Sequence, residues 1–426
     1  MGDQGVGGVL ISVAKLVIYT LCAGIHPQRT LPVIIDCGTN NPSLLNDDMY
    51  LGKRHERIRG DRYNDFISKF ITSVRSHYPK AYIHCEDFGL PNARRILDDY
   101  RSKVAMFNDD VQGTGVVTLA GIYAACHVSK LDIAEARMLF FGAGTAGTGI
   151  ADQCVRAIQI DAGKSEEEAR KHIWLVDKQG LILDSKRNDL THAQLPYARG
   201  DGEWGDHPHE HLLDIVKKVR PHILIGTSTE PGSFTQEIIK EMAKHVECPI
   251  VFPLSNPTDL HEAKPADIYK WTEGKALIAT GSPFDPVQYN GTTYEVAECN
   301  NSTAFPGIGL GGILSRTRLV SNKMLLAAAK ALAAQGPAMK DPAAGLLPDV
   351  QDVRKISVHI AKAVIKQAVE ESLNEEEDIP EEDAELEEWI REQMWDAEYK
   401  PYKKVSRCEA SRHARGEAGV HGARES

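Results

Sequence analysis

Two pairs of adjacent acids, Glu86-Asp87 in IHCEDF and Asp109-Asp110 in MFNDDVQGTG, each close a short apolar run. Such a run stopping at charged residues reads as a strand entering a loop, so both pairs fall at strand ends, where open α/β folds gather ligands. Carboxylates collected in one place repel one another, and a hard divalent cation relieves the repulsion. Oxygen donors favour Mg²⁺ or Mn²⁺ over a soft metal. By alternation His84 shares a strand face with Glu86, which is only a weak pointer to zinc. The same acids also read as turn residues or helix caps. Lys15 stands inside the apolar stretch VLISVAKLVIY, either snorkelling to water or held near an anion. Desolvation and cationic neighbours can lower a lysine's pKa and make it a base. Asn256 in LSNPT and Asn300-Asn301 in ECNNSTAFPG are amides at strand ends or in loops, open to a turn role or to ligand contact.

These groups need elements to hold them. Gly142-Ala143-Gly144-Thr145-Ala146-Gly147 follows the strand-like MLFF and opens a helical pattern, the context in which a glycine run binds a dinucleotide. Its glycines let the backbone approach a pyrophosphate, whose charge the helix N-terminus favours. The acid that should hold the adenosine ribose is Asp177, closing HIWLVD about thirty residues on rather than about twenty. DAGKSEEEARKH reads as a helix extension that accounts for the excess. HILIGTST, CPIVFPLSNPT and KALIATGSPF are further apolar strands ending in Gly, Ser or Asn loops, with helical patterns between several of them. Continuous apolar strands alternating with helices give an α/β fold with a doubly wound parallel sheet. Upstream, LPVIIDCG is a β-branched run, YNDFISKFITSVRSHY and PNARRILDDYRSK are helical, and GTGVVTLAGIYAACHV is an apolar helix. SNKMLLAAAKALAAQ and VRKISVHIAKAVIKQAVEESL close the core.

At 426 residues the chain exceeds one ordinary domain. It is 42% hydrophobic and 26% charged, the composition of a globular protein, and a net charge of −11 without a basic aromatic stripe argues against nucleic acid. Much of that charge lies in EESLNEEEDIPEEDAELEEWIREQ, most simply a solvated helix face or linker. Eight scattered cysteines without a CxxC pair suggest a reducing compartment. The opening MGDQGVGGVLISVAKLVIYTLCAG carries Asp3, no basic residue before its apolar run, and Lys15 within it, which disfavours a signal peptide and a membrane span. No strand precedes its glycines, so it is no phosphate loop.

Taken in order, IHCEDF, MFNDDVQGTG, FFGAGTAGTGIA, IVFPLSNPT, IATGSPFDPV and NNSTAFPG resemble the malic enzymes from the first residues to about Tyr402. The resemblance implies oxidative decarboxylation of L-malate to pyruvate and CO₂, with a nicotinamide cofactor and Mg²⁺ or Mn²⁺. It implies that Glu86, Asp87 and Asp110 are metal ligands, that Lys15 is the general base, and that Asp109 sets that lysine's environment. Ser12 and Ala14 stand where the family's lysine motif has Pro and Gly. Asn256, Asn300 and Asn301 match substrate-contacting amides. Gly142, Gly144, Thr145, Ala146, Gly147 and Asp177 form the cofactor site. Gln194 in HAQLPY aligns with a position that is Gln in NAD-preferring members and Lys in NADP-preferring ones, and Asp177 also favours NAD; Lys178 keeps NADP open.

The implied layout is a truncated N-terminal substrate and metal domain at 1–111, a Rossmann-type NAD-binding domain at 112–372, an acidic helical segment at 373–402 and a disordered tail at 403–426. The family's acid, a tyrosine, and its malate-binding arginine lie upstream of the match. The expectation is therefore a chain lacking the early part of a malic enzyme, with an apolar docking face uncovered. Its activity would be impaired, and at the extreme it would be an NAD- and metal-binding fragment. The family is commonly a dimer or tetramer, in the mitochondrial matrix or the cytoplasm, and no membrane or nucleic-acid partner is expected.

Overall fold

The apolar runs of the second half become strands buried on both faces. In a computed structural model, which describes residues 3–399, 404 and 406, β3 (Met138–Phe141), β4 (Ile173–Asp177), β6 (Ile223–Gly226), β7 (Ile250–Pro253) and β8 (Leu277–Thr280) lie parallel. With β5 (Gly180–Leu181) antiparallel at one edge and β11 (Ala297–Glu298) parallel at the other, the order is β11-β8-β7-β6-β3-β4-β5. The chain runs outward in one direction through β4 and in the other through β6. The carboxyl ends of β3 and β6 therefore flank the switch point where such sheets bind ligands. Alternation decides the layers: Met138 and Phe140 face one core with helices Thr114–Ser129, Thr145–Ala162, Asn322–Ala333 and Val353–Glu370, while Leu139 faces the other with helices Leu212–Val219, Gln236–Ala243 and Pro265–Trp271. Burial on both faces is why these strands read as unbroken apolar runs. A small hairpin, β9 (Val287–Tyr289) with β10 (Thr292–Tyr294), lies outside the sheet.

The first half carries a two-stranded parallel ladder, β1 (Ile83–Cys85) beside β2 (Met106–Asn108). Helices Asp61–His77 and Leu90–Tyr100 cover it, burying Ile67, Ile71 and Ile96 against Cys85 and Met106. The opening residues make a 3₁₀ turn, Gly5–Gly8, and then a helix, Val9–Ala23, closed by Gly24 in the left-handed region. This helix crosses helix Phe305–Leu314 so closely that a methyl group on Gly309 would stand 2.4 Å from the Tyr19 ring. Its outer face is bare: Leu10 is 71% and Leu21 64% exposed, and Leu31, Met49 and Leu51 nearby in sequence are exposed as well. Gly5–Ala23 and Asp109–Ser129 are both long and apolar enough to cross a membrane; 78% of the second is buried in the core, and the first carries Lys15 tied to two acids.

Three expectations change in detail. LPVIIDCG, a β-branched run, lies in no strand among the described residues. DAGKSEEEARKH is not a continuation of the preceding helix. Gly163 adopts φ 64° and ends it, and Ser165 and Glu168 cap a separate short helix, Glu166–Arg170, through a reciprocal pair of bonds. The acid-rich run contains a helix, Asp383–Gln393, that buries Leu386 and Ile390 and pairs Glu387 with Lys362 at 3.3 Å. Packing divides the chain after Met394, and the expected tail at 403–426 lies outside the described residues except for 404 and 406.

Phe140 is fully buried in the central strand. Phe140→Ala should cost about 3–5 kcal/mol of unfolding free energy, read from the urea midpoint at unchanged slope. A loss below about 1 kcal/mol would contradict its place in the core.

Candidate functional site

Asn108 makes the second acid pair possible. Its side-chain oxygen accepts from the Val111 backbone N–H at 3.0 Å while its own N–H donates to Gln112 Oε1 at 2.9 Å. These bonds hold Asp109–Gly113 in a single π-helical turn that carries β2 into helix Thr114–Ser129. Asp109 is thereby turned inward and is 1% exposed, while Asp110 stays part-buried beside the first pair. Asp87 takes φ 54°, which directs its N–H to Asp110 Oδ2 at 2.8 Å.

Lys15 descends from the opening helix into this nest. Its Nζ donates to Asp109 Oδ2, stands 3.3 Å from Glu86 Oε2, and lies 4.9 Å from the centroid of the Phe305 ring. Burial pulls the Lys15 pKa down, but the carboxylates of Asp109 and Glu86 outweigh it and leave the amine above its ordinary value. A lysine lowered by cationic neighbours is therefore not what the fold builds: its neighbours are anions. Asp110 is pushed up to about 7, by burial first and then by the Glu86 carboxylate. Asn301 closes the nest, its amide nitrogen donating to the Asp109 carbonyl and to Asp109 Oδ2, each at 3.2 Å.

The donors fit a hard cation. Asp109 Oδ1 is buried without a hydrogen-bond partner, Glu86 Oε2 has the Lys15 ammonium at 3.3 Å, and Asp110 is raised by burial and by the crowded Glu86 carboxylate. The closest grouping among the described residues is His84, Glu86 and Asp109, with ligand atoms within 4.8 Å of one another. His84 does share the Glu86 face, but its Nδ1 is taken up with the Tyr19 hydroxyl at 2.9 Å. Asp87 enters the nest through its backbone bond to Asp110. Tyr19, one helical turn beyond Lys15, and Phe305 were not legible as site residues; the four-residue spacing from Lys15 was the available signal for Tyr19. Lys15, Tyr19, His84, Glu86 and Asp87 line a cavity of about 1650 Å³.

The cofactor elements meet at the switch point. Gly142 has φ 108°, and a Cβ there would stand 2.5 Å from the Thr227 carbonyl carbon. One on Gly147 would stand 2.0 Å from the Gly142 oxygen. Gly144 faces open space, directly before helix Thr145–Ala162, so the turn leaves room for an anion at the helix N-terminus. Asp177 ends β4 with Oδ2 accepting from Gln194 Nε2 at 2.8 Å, and the same nitrogen donates to the Ala143 carbonyl at 3.0 Å. Gln194, 7% exposed, thus bridges the glycine turn and the acid.

The three asparagines separate. Asn301 joins the Lys15 nest. Asn300 is engaged locally, accepting from the Ser302 N–H at 2.9 Å and donating to Glu298 Oε1 at 3.2 Å. Asn256, in the loop after β7, accepts from the Ser282 hydroxyl. Helix Leu90–Tyr100 is tied to helix Thr145–Ala162 by Arg94 against Asp152, which also accepts from the Tyr197 hydroxyl at 2.6 Å.

Residues 1–101 match the family model described as malic enzyme, N-terminal domain, and residues 111–369 match malic enzyme, NAD binding domain. The NAD-dependent malic enzyme of Schizosaccharomyces pombe is 48% identical over 404 residues, spanning 94% of this chain and 71% of the relative. The mitochondrial NAD-dependent malic enzyme of Saccharomyces cerevisiae is 47% identical over 419 residues, spanning 95% of this chain and 62% of the relative. The malolactic enzyme of Lactiplantibacillus plantarum is 46% identical over 405 residues, spanning 95% and 73%. Among solved structures, the malic enzyme of Entamoeba histolytica shares the fold, with a TM-score of 0.68 at 24% identity over 97% of this chain and 73% of that one.

A Cβ at position 113 would stand 2.0 Å from Asp109 Oδ1. Gly113→Ala should therefore force Asp109 aside and destabilise the chain by about 1–3 kcal/mol in urea titration. No measurable change would show that Asp109 is not fixed as described.

Proposed function

The chain belongs to the malic enzyme family, and we propose from that membership and from the Lys15 nest that it oxidatively decarboxylates L-malate to pyruvate and CO₂, reducing NAD⁺. The observation that carries the reading is Lys15 held between Asp109 and Glu86 beside a cavity, within a set of oxygen donors suited to Mg²⁺ or Mn²⁺. Glu86, Asp87 and Asp110 would hold the ion. When bound, it supplies Lewis acidity toward the malate hydroxyl and the new carbonyl and shares the carboxylate charge that otherwise favours the Lys15 ammonium. Lys15, as the neutral amine, takes the proton from the C2 hydroxyl while hydride leaves C2 for the nicotinamide. Asp109, fixed by Asn301, aims the amine. Loss of the C4 carboxylate as CO₂ then leaves a C3 carbanion equivalent that is protonated to pyruvate. Asn256 and Asn300 are read as contacts to the substrate.

In this reading residues 1–111 supply the lysine and the metal ligands, and residues 112–372 supply the cofactor site. Gly142, Gly144, Thr145, Ala146 and Gly147 receive the pyrophosphate, and Asp177 accepts from the adenosine ribose hydroxyls. Gln194 braces Asp177 in place, and an anionic acceptor there disfavours a 2′-phosphate, which supports NAD over NADP. Seven free thiols among the described residues suit a reducing compartment, mitochondrial matrix or cytoplasm.

The purified chain with L-malate, NAD⁺ and Mn²⁺ should form NADH and pyruvate in equal amounts, and Lys15→Ala should lower kcat by roughly 10²–10⁴-fold. A folded chain that binds NAD⁺ but turns over no malate would instead support the reading of an NAD- and metal-binding fragment. Mn²⁺ alone should raise the melting temperature, by an amount equivalent to about 2.7 kcal/mol at a hundredfold excess over its Kd. The rise should vanish in Glu86→Gln/Asp110→Asn. An equal rise in that double variant would place the ion elsewhere.

A further inference from the structure

Glu262 lies outside everything assigned above, yet it is fully buried, at 0% exposure. Its Oε1 accepts from the Ser228 backbone N–H and from the Ser228 hydroxyl, each at 2.9 Å, and also from the Ser255 hydroxyl. Its Oε2 accepts from the Ser255 backbone N–H at 3.5 Å. No ion pair to it is found among the described residues. Four donors converging on two oxygens is the pattern of a carboxylate used as an acceptor hub, and burying one without a cation is costly unless such donors replace its water. The hub has a place to be: a Cβ on Gly226 would stand 2.4 Å from Glu262 Cδ, so the end of β6 is left bare of side chain where the carboxylate sits.

What Glu262 holds is the pair of loops leaving β6 and β7. The β6 loop runs Thr227-Ser228-Thr229, and its Thr229, at φ 59°, donates from N–H to the Ser255 hydroxyl at 2.8 Å. The β7 loop runs Ser255-Asn256. The β6 loop also touches the glycine turn, since the Thr227 hydroxyl donates to the Gly142 carbonyl at 2.8 Å. Sheet order says which part of a dinucleotide these loops meet. Asp177 on β4 marks the adenosine end and the glycine turn after β3 marks the pyrophosphate. The other half of the cofactor therefore extends across the switch point, over the ends of β6 and β7.

We infer that Glu262 is the positioning residue of the nicotinamide subsite: by holding the Ser228 and Ser255 loops in register it shapes the surface on which the nicotinamide ring of NAD⁺ rests, the part that ADP-ribose lacks. This rests on the cofactor reading above. It differs from a general packing role in what it spares. A ligand that lacks the nicotinamide should not sense the residue.

The test is calorimetric titration of the full chain and its Glu262→Gln variant with NAD⁺ and with ADP-ribose, which keeps the adenosine, the pyrophosphate and the second ribose. Replacing one acceptor oxygen by an NH₂ group sets donor against donor. NAD⁺ should then bind about tenfold more weakly or worse, with ADP-ribose within about twofold of the wild type. Equal weakening of both ligands, or of neither, would falsify the assignment. Should Glu262→Gln not fold, Ser255→Ala removes one donor to the hub and the acceptor for Thr229, and the same selective loss is expected at about threefold or more. Its absence overturns the assignment just as well. A wild-type chain that binds no NAD⁺ overturns the proposed cofactor, and this inference with it. A wild type that binds NAD⁺ beside an indifferent variant overturns this inference alone.

Discussion

The contact between Lys15 and Asp109 joins parts of the chain that are far apart in sequence, and much of the site's geometry follows from it. Lys15 is on a helix whose outer face is apolar and bare, and Asp109 is in the turn that starts the core helix of the larger half. Removing one partner of a buried pair leaves an uncompensated charge, so the opening helix is committed to this position once both groups are desolvated. Tyr19 and Phe305 pack edge to face beside the pair, with the Phe305 ring centroid 4.9 Å from the Lys15 ammonium. The cost of that arrangement is carboxylate crowding, visible in Asp110, whose pKa rises to about 7 under burial and the Glu86 charge.

The second constraint is how closely backbones approach at the switch point. Gly142 and Gly147 are there because Thr227 and the Gly142 carbonyl occupy the space a side chain would need. The Thr227 hydroxyl then ties the end of β6 to the glycine turn, and Gln194 ties the acid after β4 to the same turn from the other side. The cofactor end of the molecule is thus a set of loops held to one another by short polar bonds, over a sheet whose two buried faces keep the strand ends in register.

What could be read from sequence was what depends on local pattern. Unbroken apolar runs marked the strands, since both faces of the sheet are covered, and the glycine run was recognisable because a strand precedes it and a helix follows. The acid pairs fell at strand ends as their apolar neighbours implied. Features set by distant partners stayed hidden. LPVIIDCG has the composition of a strand and lies in none among the described residues. Lys15 was open to two readings, snorkelling or held near an anion, and the resemblance put Asp109 beside it; that Glu86 is a second carboxylate partner is seen only in the folded chain. Glu262 is one acid in a loop, and nothing in LHEAK distinguishes it from a solvated residue; its burial comes from a glycine thirty-six positions earlier, 262 less 226.

That last pairing also limits how the two positions can change through descent. With Glu262 in place, any side chain at 226 collides with the carboxyl group, and with the carboxylate shortened or removed, Gly226 fronts a void and the serine loops lose their common acceptor. Neither residue can be altered first without loss, so drift at this pair must pass through a weakened intermediate or two simultaneous changes. The two sites are locked to each other's history, although nothing in the linear sequence sets them side by side.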